Sequence, residues 1–312
     1  MQYHFRVTQA DVGVGGFVTG GTVLEWIDKA ANAVAVQWSG GSCVAASVGT
    51  FHLDRPIGVG ELVDVHAGLV YTGRSSMHIL VTICSFDPRL AGAAQSAQCP
   101  VVFVATDPVG NPVEVPSRTP VTMLDLQRHR QARVRIRMRK CIEEAMVAQR
   151  YTAQGTASRA TLRFRAARTD VDPDGNLRAG RLMRWIDDAV CACGTEWTGA
   201  QAITAYIAGI RLCRPIFTAD VVEITARIIH TGPRSIHTAI RVAATDANGG
   251  QRRVAAHGLV VVVTLDDLGR ALPVPQWEPA SEEDHRLDRH ARHVVELRRF
   301  VEPFTTAAVT VV

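Results

Sequence analysis

Leu24-Glu25-Trp26-Ile27-Asp28-Lys29-Ala30 returns later in the chain as Met183-Arg184-Trp185-Ile186-Asp187-Asp188-Ala189. The offset is 187 − 28 = 159 residues, and it holds well outside this seed without a gap. Phe5-Arg6 meets Phe164-Arg165, Asp11-Val12 meets Asp170-Val171, Gly21 meets Gly180, and Trp38 meets Trp197. Arg55-Pro56-Ile57 meets Arg214-Pro215-Ile216, Ser76 and His78 meet Ser235 and His237, and Pro116 meets Pro275. A constant offset kept over about a hundred residues marks a duplication. The chain is two copies of one domain.

Within a copy the order of elements is readable. A short strand at Tyr3 to Val7 leads through a Gly-rich loop to a helix from about Gly21 to Trp38. There Val23, Ile27, Ala30, Val34 and Trp38 recur at helical spacing, while Leu24, Ala31 and Ala35 make a second face apolar. A helix apolar around most of its circumference is a buried one. Four strand-like runs rich in Val, Ile and Thr follow: Val44 to Arg55, Glu61 to Thr72, Ser75 to Phe86, and Cys99 to Asp107. Gly58-Val59-Gly60 and Thr72-Gly73-Arg74 supply turns between them. The expected class is α+β: tandem hotdog domains, each a long central helix wrapped by an antiparallel sheet. The expected divisions are 1–119 for the first domain, 120–158 for a basic linker helix starting near Val121, 159–278 for the second domain, and 279–312 for a C-terminal helix and tail.

Composition narrows the function. Of 312 residues 47% are hydrophobic and 21% charged, which suits a globular chain rather than a disordered one. No apolar run approaches the roughly 18 to 20 residues of a membrane-spanning helix, and the start lacks a signal-peptide pattern, so no membrane partner and a cytoplasmic location are expected. Lysine occurs only at Lys29 and Lys140, so the net charge of +4 is carried by arginine. The arginines of the linker suit a solvated helix face better than a nucleic-acid stripe, and no nucleic-acid partner is expected. The seven cysteines show no Cys-x-x-Cys spacing; neither a metal site nor a disulfide framework is expected.

At this point the chain resembles a known family. Gly20-Gly21-Thr22-Val23-Leu24-Glu25-Trp26-Ile27-Asp28 looks like the glycine–aspartate helix signature of hotdog acyl-CoA thioesterases. His52-Leu53-Asp54-Arg55-Pro56-Ile57-Gly58-Val59-Gly60-Glu61 looks like the strand and turn that follow it, and Leu268 to Gln276 resembles the end of the brain-type, double-hotdog acyl-CoA hydrolases. The resemblance implies hydrolysis of acyl-CoA to free fatty acid and coenzyme A, with no separate cofactor, in a homo-oligomer of three double-hotdog chains. It also implies that a helix Asp, Asp28 or Asp187, acts as general base or nucleophile. The chemistry asks for an activated attacker and a donor to the developing oxyanion. Unpaired helix N-terminal amides at Gly21 and Gly180 are candidates for that donor.

The sequence departs from the family at one point. Brain-type enzymes carry an Asn fifteen residues before the helix acid, where this chain has Gly13 and Asp172. The first loop, Gly13-Val14-Gly15-Gly16, has no polar side chain, whereas Asp172 and Asn176 of the second could assist an acid of the other repeat. Family precedent therefore favours Asp187 and the surviving side chains favour Asp28, which stands slightly ahead. For the coenzyme A phosphates the candidates are Arg74 and Arg234, with Ser76 and Ser235 beside them. His78 and His237 read as a matched packing pair, and Trp38 and Trp197 as core. Two alternatives stay open: a non-catalytic acyl-CoA-binding or assembly protein, and a hotdog hydratase or dehydratase acting on hydroxyacyl thioesters. The second is weakened by the absence of a histidine on the helix.

Overall fold

The computed structural model describes residues 1–13, 16–87, 94–152, 155–247, 249–266, 269–299 and 304. Val14 and Gly15 of the first loop, Leu268 of the C-terminal run and most of the end of the tail lie outside the described residues. The first copy contains β1 (Gln2–Arg6), α1 (Gly20–Ser39), β2 (Cys43–Val48), β3 (Phe51–Leu53), β4 (Leu62–Thr72), β5 (Ser76–Phe86) and β6 (Ala94–Ala105). Next comes α2 (Met123–Val147). The second copy contains β7 (Arg159–Arg165), α3 (Ala179–Thr198), β8 (Ala202–Leu212), β9 (Val221–Gly232), β10 (Ser235–Thr245) and β11 (Arg253–Thr264), and α4 (Glu282–Arg299) follows.

Both copies form one antiparallel sheet of 11 strands, in the order β1-β4-β5-β6-β2-β8-β11-β10-β9-β7, with β3 pairing β6 and β8. Each half uses the same order, so the two meet edge to edge. The seam is short: Ser47 and Val48 pair Arg211 and Ile210, and Phe51 and His52 pair Ile207 and Tyr206. In the first copy the seam strand is broken between β2 and β3. Gly49 sits there with its N–H on Pro100 O (2.8 Å), and a Cβ would fall 2.7 Å from that carbonyl.

The sheet wraps α1 and α3. Thr19 caps α1 by accepting from Thr22 N, and Gly40 at φ 71° ends it by donating to Val36 O. The left-handed conformation at Gly40 and Gly199 is the ordinary glycine stop for a helix. Val23, Leu24, Ile27, Ala30, Ala31 and Ala35 of α1 are buried, as are Leu182, Met183, Trp185, Ile186, Ala189 and Val190 of α3. They join one core with the inward strand residues. Trp38 Nε1 donates to Pro116 O and Trp197 Nε1 to Pro275 O, each at 2.9 Å, tying each helix end to the chain beyond the last strand.

The opposite face of the sheet is covered too. Ile207, Ile228 and Val260 point to the central helices while their neighbours Ala208, Ile229 and Leu259 point away, the alternation a strand imposes. Onto this outer face pack Ile142 and Met146 of α2 and Leu287, Ala291 and Val294 of α4. Buried Arg227 of β9 bonds Glu283 (2.6 Å) and Asp284 (2.9 Å) at the start of α4. The linker is therefore half of a second layer, with Arg130, Arg133 and Arg137 exposed and Arg135 and Arg139 lining the space beneath it. His78 and His237 lie in this layer: His78 meets the edge of Tyr71 at 5.2 Å, and His237 that of His230 at 5.0 Å. His230 bonds Asp288 of α4. Among the described residues no helix is long and apolar enough to cross a membrane.

Candidate functional site

The two central helices pass one another in opposite senses about the pseudo-twofold axis. On that axis Glu25 meets its own counterpart, Arg184 (25 + 159 = 184), in an ion pair of 3.1 Å. An unchanged residue there would face a like charge. One turn away on either side, the start of each helix lies against the acid of the other. A Cβ at Gly21 would stand 2.9 Å from Arg184 Cα and from Asp187 Cβ; at Gly180 it would stand 2.9 Å from Glu25 Cα and 3.0 Å from Asp28 Cβ. Glycine is needed because two helix backbones and an acid crowd this crossing.

The crowding also decides what the glycine amides face. The Gly21 N–H donates to the carboxylate of Asp187, and the Gly180 N–H to that of Asp28. The amides from Gly20 to Val23 at the start of α1 can be followed one by one. Val23 N bonds Thr19 O (3.1 Å), Thr22 N bonds Thr19 Oγ1 (3.2 Å), and Gly21 N takes Asp187. The Gly20 N–H has no partner among the described residues. Gly20 is buried, and its Cβ position lies 3.1 Å from Asp187 Oδ1.

The two acids are equivalent in backbone and different in company. Asp187 is 5% exposed and receives the hydroxyls of Thr204 and Thr19 as well as the Gly21 amide; the Cys191 thiol stands 3.9 Å from Oδ1. Burial raises its pKa above the ordinary carboxylate value, with the three hydrogen bonds opposing the rise and Asp188 adding to it. Asp28, partly buried, has the Gly180 amide as donor, with the charges of Arg178 and Glu25 nearby. Burial pushes its pKa up to about 6, against the Gly180 bond and Arg178. The counterparts explain the contrast: Thr19 corresponds to Arg178 (19 + 159) and Thr204 to Ala45 (204 − 159). Sequence reading passed over Thr19, Gly20 and Thr204 because attention to what the copies share hides residues in which they differ.

The remaining candidates are placed elsewhere or otherwise engaged. Asp172 and Asn176 fold their own loop: Asn176 N donates to Asp172 Oδ1 (2.9 Å) and Asp172 N to Asn176 O (2.8 Å). Asp174 of that loop accepts from Ser42 Oγ at 2.7 Å. In the first loop a Cβ at Gly13 would fall 2.8 Å from Thr19 Cγ2, so a side chain at 13 would displace Thr19. Arg74 is exposed and paired with Glu114 (2.8 Å) in the β4–β5 turn. Its carbonyl accepts from Val115 N, beside the Pro116 that holds Trp38. It therefore sits at the far end of α1 from Gly20, roughly 30 Å away by helix rise. Arg234 is exposed in the matching β9–β10 turn, and Ser235 Oγ lies 3.3 Å from His237 Nε2. Ser76 opens β5 against Gly73. Among the described residues no group of three or more His, Cys, Asp or Glu could hold a metal ion.

A duplicated helix-in-sheet domain, with an acid of each copy seated on the helix start of the other, is the internal dimer of the hotdog class. The family follows from comparison. The thioesterase superfamily model matches residues 15–91 and 174–249, one match in each copy. The chain is a tandem member of the thioesterase superfamily. It is 24% identical over 296 residues to the human cytosolic acyl coenzyme A thioester hydrolase, covering 88% of this chain and 77% of that protein. To the mouse acetyl-coenzyme A thioesterase it is 22% identical over 293 residues, 87% of this chain and 52% of that protein. Among solved structures, an acyl-ACP thioesterase from Bacteroides thetaiotaomicron superposes with a TM-score of 0.54 at 12% identity, over 84% of this chain and 97% of that one, a likeness of fold.

Proposed function

We propose that this chain hydrolyses acyl-CoA thioesters to the free acid and coenzyme A, and that Asp187 is the working acid. The observation that carries the choice is the asymmetry of the two acids. Asp187 is held by two hydroxyls and an amide beside the Gly20 N–H, which has no partner among the described residues, whereas Asp28 has one amide and a cation close by. Fixed donors suit a group that must aim at one carbon, since orientation is a large part of catalytic effect. The relatives' names supply the substrate class.

In the general-base form, a water oxygen attacks the thioester carbonyl and gives its proton to Asp187. The carbonyl oxygen, now an anion, lies on the Gly20 N–H. Collapse of the intermediate breaks the C–S bond, and the proton passes from Asp187 to the departing thiolate. The raised pKa makes Asp187 a stronger base than an exposed carboxylate. In the nucleophilic form the carboxylate itself attacks and water opens the resulting anhydride. Single turnover in ¹⁸O-water separates the two: the general-base form puts the label in the released acid, whereas opening of the anhydride at the Asp187 carbonyl puts it in Asp187 and releases an unlabelled acid. Coenzyme A enters as part of the substrate, with Arg74 or Arg234 and the adjacent Ser76 or Ser235 available to its phosphates. A cytoplasmic setting and an assembly of three chains complete the reading; light scattering tests the latter.

The decisive experiment measures thiol release from an acyl-CoA chain-length series by wild type, Asp187→Asn and Asp28→Asn. Asp187→Asn should lose roughly 10²- to 10⁴-fold in kcat, the range for a positioned acid–base group. Asp28→Asn should stay within a few-fold of wild type. Full activity in Asp187→Asn overturns the assignment, and binding without any thiol release by wild type would establish a binding protein.

A further inference from the structure

We propose that the cavity beneath α2 is a second ligand site, one that takes a single-chain amphipathic carboxylate of the free-fatty-acid class. It lies on the outer face of the sheet, across the seam between the copies, with α1 and α3 on the other side. Its volume is about 80 Å³. An apolar cavity of about 150 Å³ takes up benzene, so this one suits the last few carbons of an acyl chain. The walls are apolar: Val70 and Val102 of the first copy, Ala208 of the second, and Ala132, Ile136 and Met146 of α2.

Two local features keep the space open. Between the paired residues Val48–Ile210 and Phe51–Ile207, the seam leaves Gly49-Thr50 opposite Ala208-Gly209 without a ladder. Gly209 holds φ 145°, a conformation closed to residues with a side chain, so no Cβ projects from it. Phe304 lines it as well, buried, its N–H donating to Gln98 Oε1 at 3.0 Å.

The charges at the rim choose the headgroup. Arg211 bonds Glu143 at 2.8 Å, and Arg139 Nε faces the same carboxylate from 3.4 Å as an ion pair, with no hydrogen bond from that Nε among the described residues. Two guanidinium groups on one carboxylate leave a positive charge against an apolar wall, an arrangement that a second carboxylate would complete. Arg135, its guanidinium 4.1 Å from the centre of the Phe304 ring, lines the same space. His78, also on the wall, is pushed down to about 4 by burial and by Arg139, so it is neutral near pH 7 and does not compete for the anion. The site is separate from the proposed hydrolysis and stands whether or not Asp187 is the working acid. If both hold, the acid product binds here as well, on the far side of the sheet from where it forms.

Isothermal titration of the full chain with sodium hexanoate tests this, with hexan-1-ol as the uncharged probe of equal tail. Hexanoate should bind wild type and Asp187→Asn alike, and hexan-1-ol at least tenfold more weakly. Arg139→Gln and Ala132→Trp, which remove the charge and fill the space, should each weaken hexanoate at least tenfold. Arg139→Gln alone decides if Ala132→Trp does not fold. The proposal is overturned by an absence of hexanoate binding, by equal binding of hexan-1-ol, by wild-type affinity in folded Arg139→Gln, or by loss of binding in Asp187→Asn. Since Asp187→Asn abolishes only the proposed hydrolysis, the two ideas fail separately.

Discussion

A methyl group added at Gly21 tests the crossing of the helices. In Gly21→Ala the new carbon would lie 2.9 Å from Arg184 Cα and Asp187 Cβ, and 3.1 Å from Asp187 Oδ2. Carbons in good contact sit about 3.5 to 4.0 Å apart, so the helices must part by roughly half an ångström or more. Because one of the atoms struck is backbone, a rotamer change cannot relieve it. Alanine returns at most about 1 kcal/mol of helix propensity, and less in a first turn. Overpacking costs about 1–3 kcal/mol, so the net result should be a loss of about 1–2 kcal/mol. Gly180→Ala meets the same crowding against Glu25 Cα and Asp28 and should cost a similar amount. Activity should separate the pair. Displacing Asp187 by about half an ångström should reduce kcat about tenfold, given roughly 10²-fold for a full ångström. Gly180→Ala, which displaces Asp28, should leave kcat nearly unchanged. Urea unfolding and thiol release from hexanoyl-CoA measure the two effects. Gly68→Ala serves as control, since a Cβ there meets nothing within 4 Å. If Gly21→Ala matches the control in stability and wild type in kcat, both the crowding and the role of Asp187 are refuted.

Thr204→Val removes a donor that favours the charged carboxylate of Asp187, so the acidic limb of the kcat–pH profile should move to higher pH, while Thr204→Ser keeps the wild-type profile. An unmoved limb in Thr204→Val would mean that this hydroxyl does not act on the working acid. Asp28 has a folded pKa of about 6 against 3.8 for the free group, so its charge destabilises the fold above about pH 6 and not below pH 3.8. Asp28→Asn should therefore raise Tm at pH 8, by roughly 1–3 kcal/mol in stability terms, and leave it unchanged at pH 3.5. No pH dependence of that gain would contradict the burial. Burial works against the charges of Glu283 and Asp284, yet bonds from Thr152 to the first, and from Thr156 and Ser281 to the second, outweigh it. Both carboxyls sit below their usual range, so their contribution is present above that range and lost as pH falls through the lowered values. Arg227→Met strands these two buried acids and should cost about 3–5 kcal/mol in chemical unfolding, whereas a loss under 1 kcal/mol would show that α4 is held by its apolar contacts.

The fold was legible because it rests on signals that repeat. The apolar residues of α1 recur at helical spacing, and the alternating Val, Ile and Thr runs recur 159 residues later, so each copy checks the other. The second layer was less legible. α2 has few apolar residues, and Ile142 and Met146 find their partners, Ala208, Ile229 and Leu259, only through tertiary packing. Which residues sit near Asp28 and Asp187 could be inferred from the motif. Where the Gly21 and Gly180 amides point could not, because it depends on a helix 159 residues away in sequence. Asp172 and Asn176 show the same limit: their types suit a site, and their spacing suits a loop that bonds itself.

The pseudo-twofold axis gives a reason for the pattern of differences between the copies. In a symmetric dimer of identical chains a residue on the axis meets itself, and a change there alters both partners together. Duplication within one chain removes that constraint. Glu25 and Arg184 have used the freedom to turn a self-contact into an ion pair. Thr19 and Thr204 against Arg178 and Ala45 show the same freedom spent on the acids: one carboxylate is gripped from both copies, the other beside a charge. Because Asp187 draws Thr19 and Gly21 from the first copy and Thr204 from the second, its setting needs both halves in register. Arg178→Thr together with Ala45→Thr would give Asp28 the company that Asp187 has. If donors alone set the difference, that double variant in an Asp187→Asn background should regain hydrolysis at least tenfold over Asp187→Asn itself. A double variant that folds and stays inactive would place the cause outside these residues.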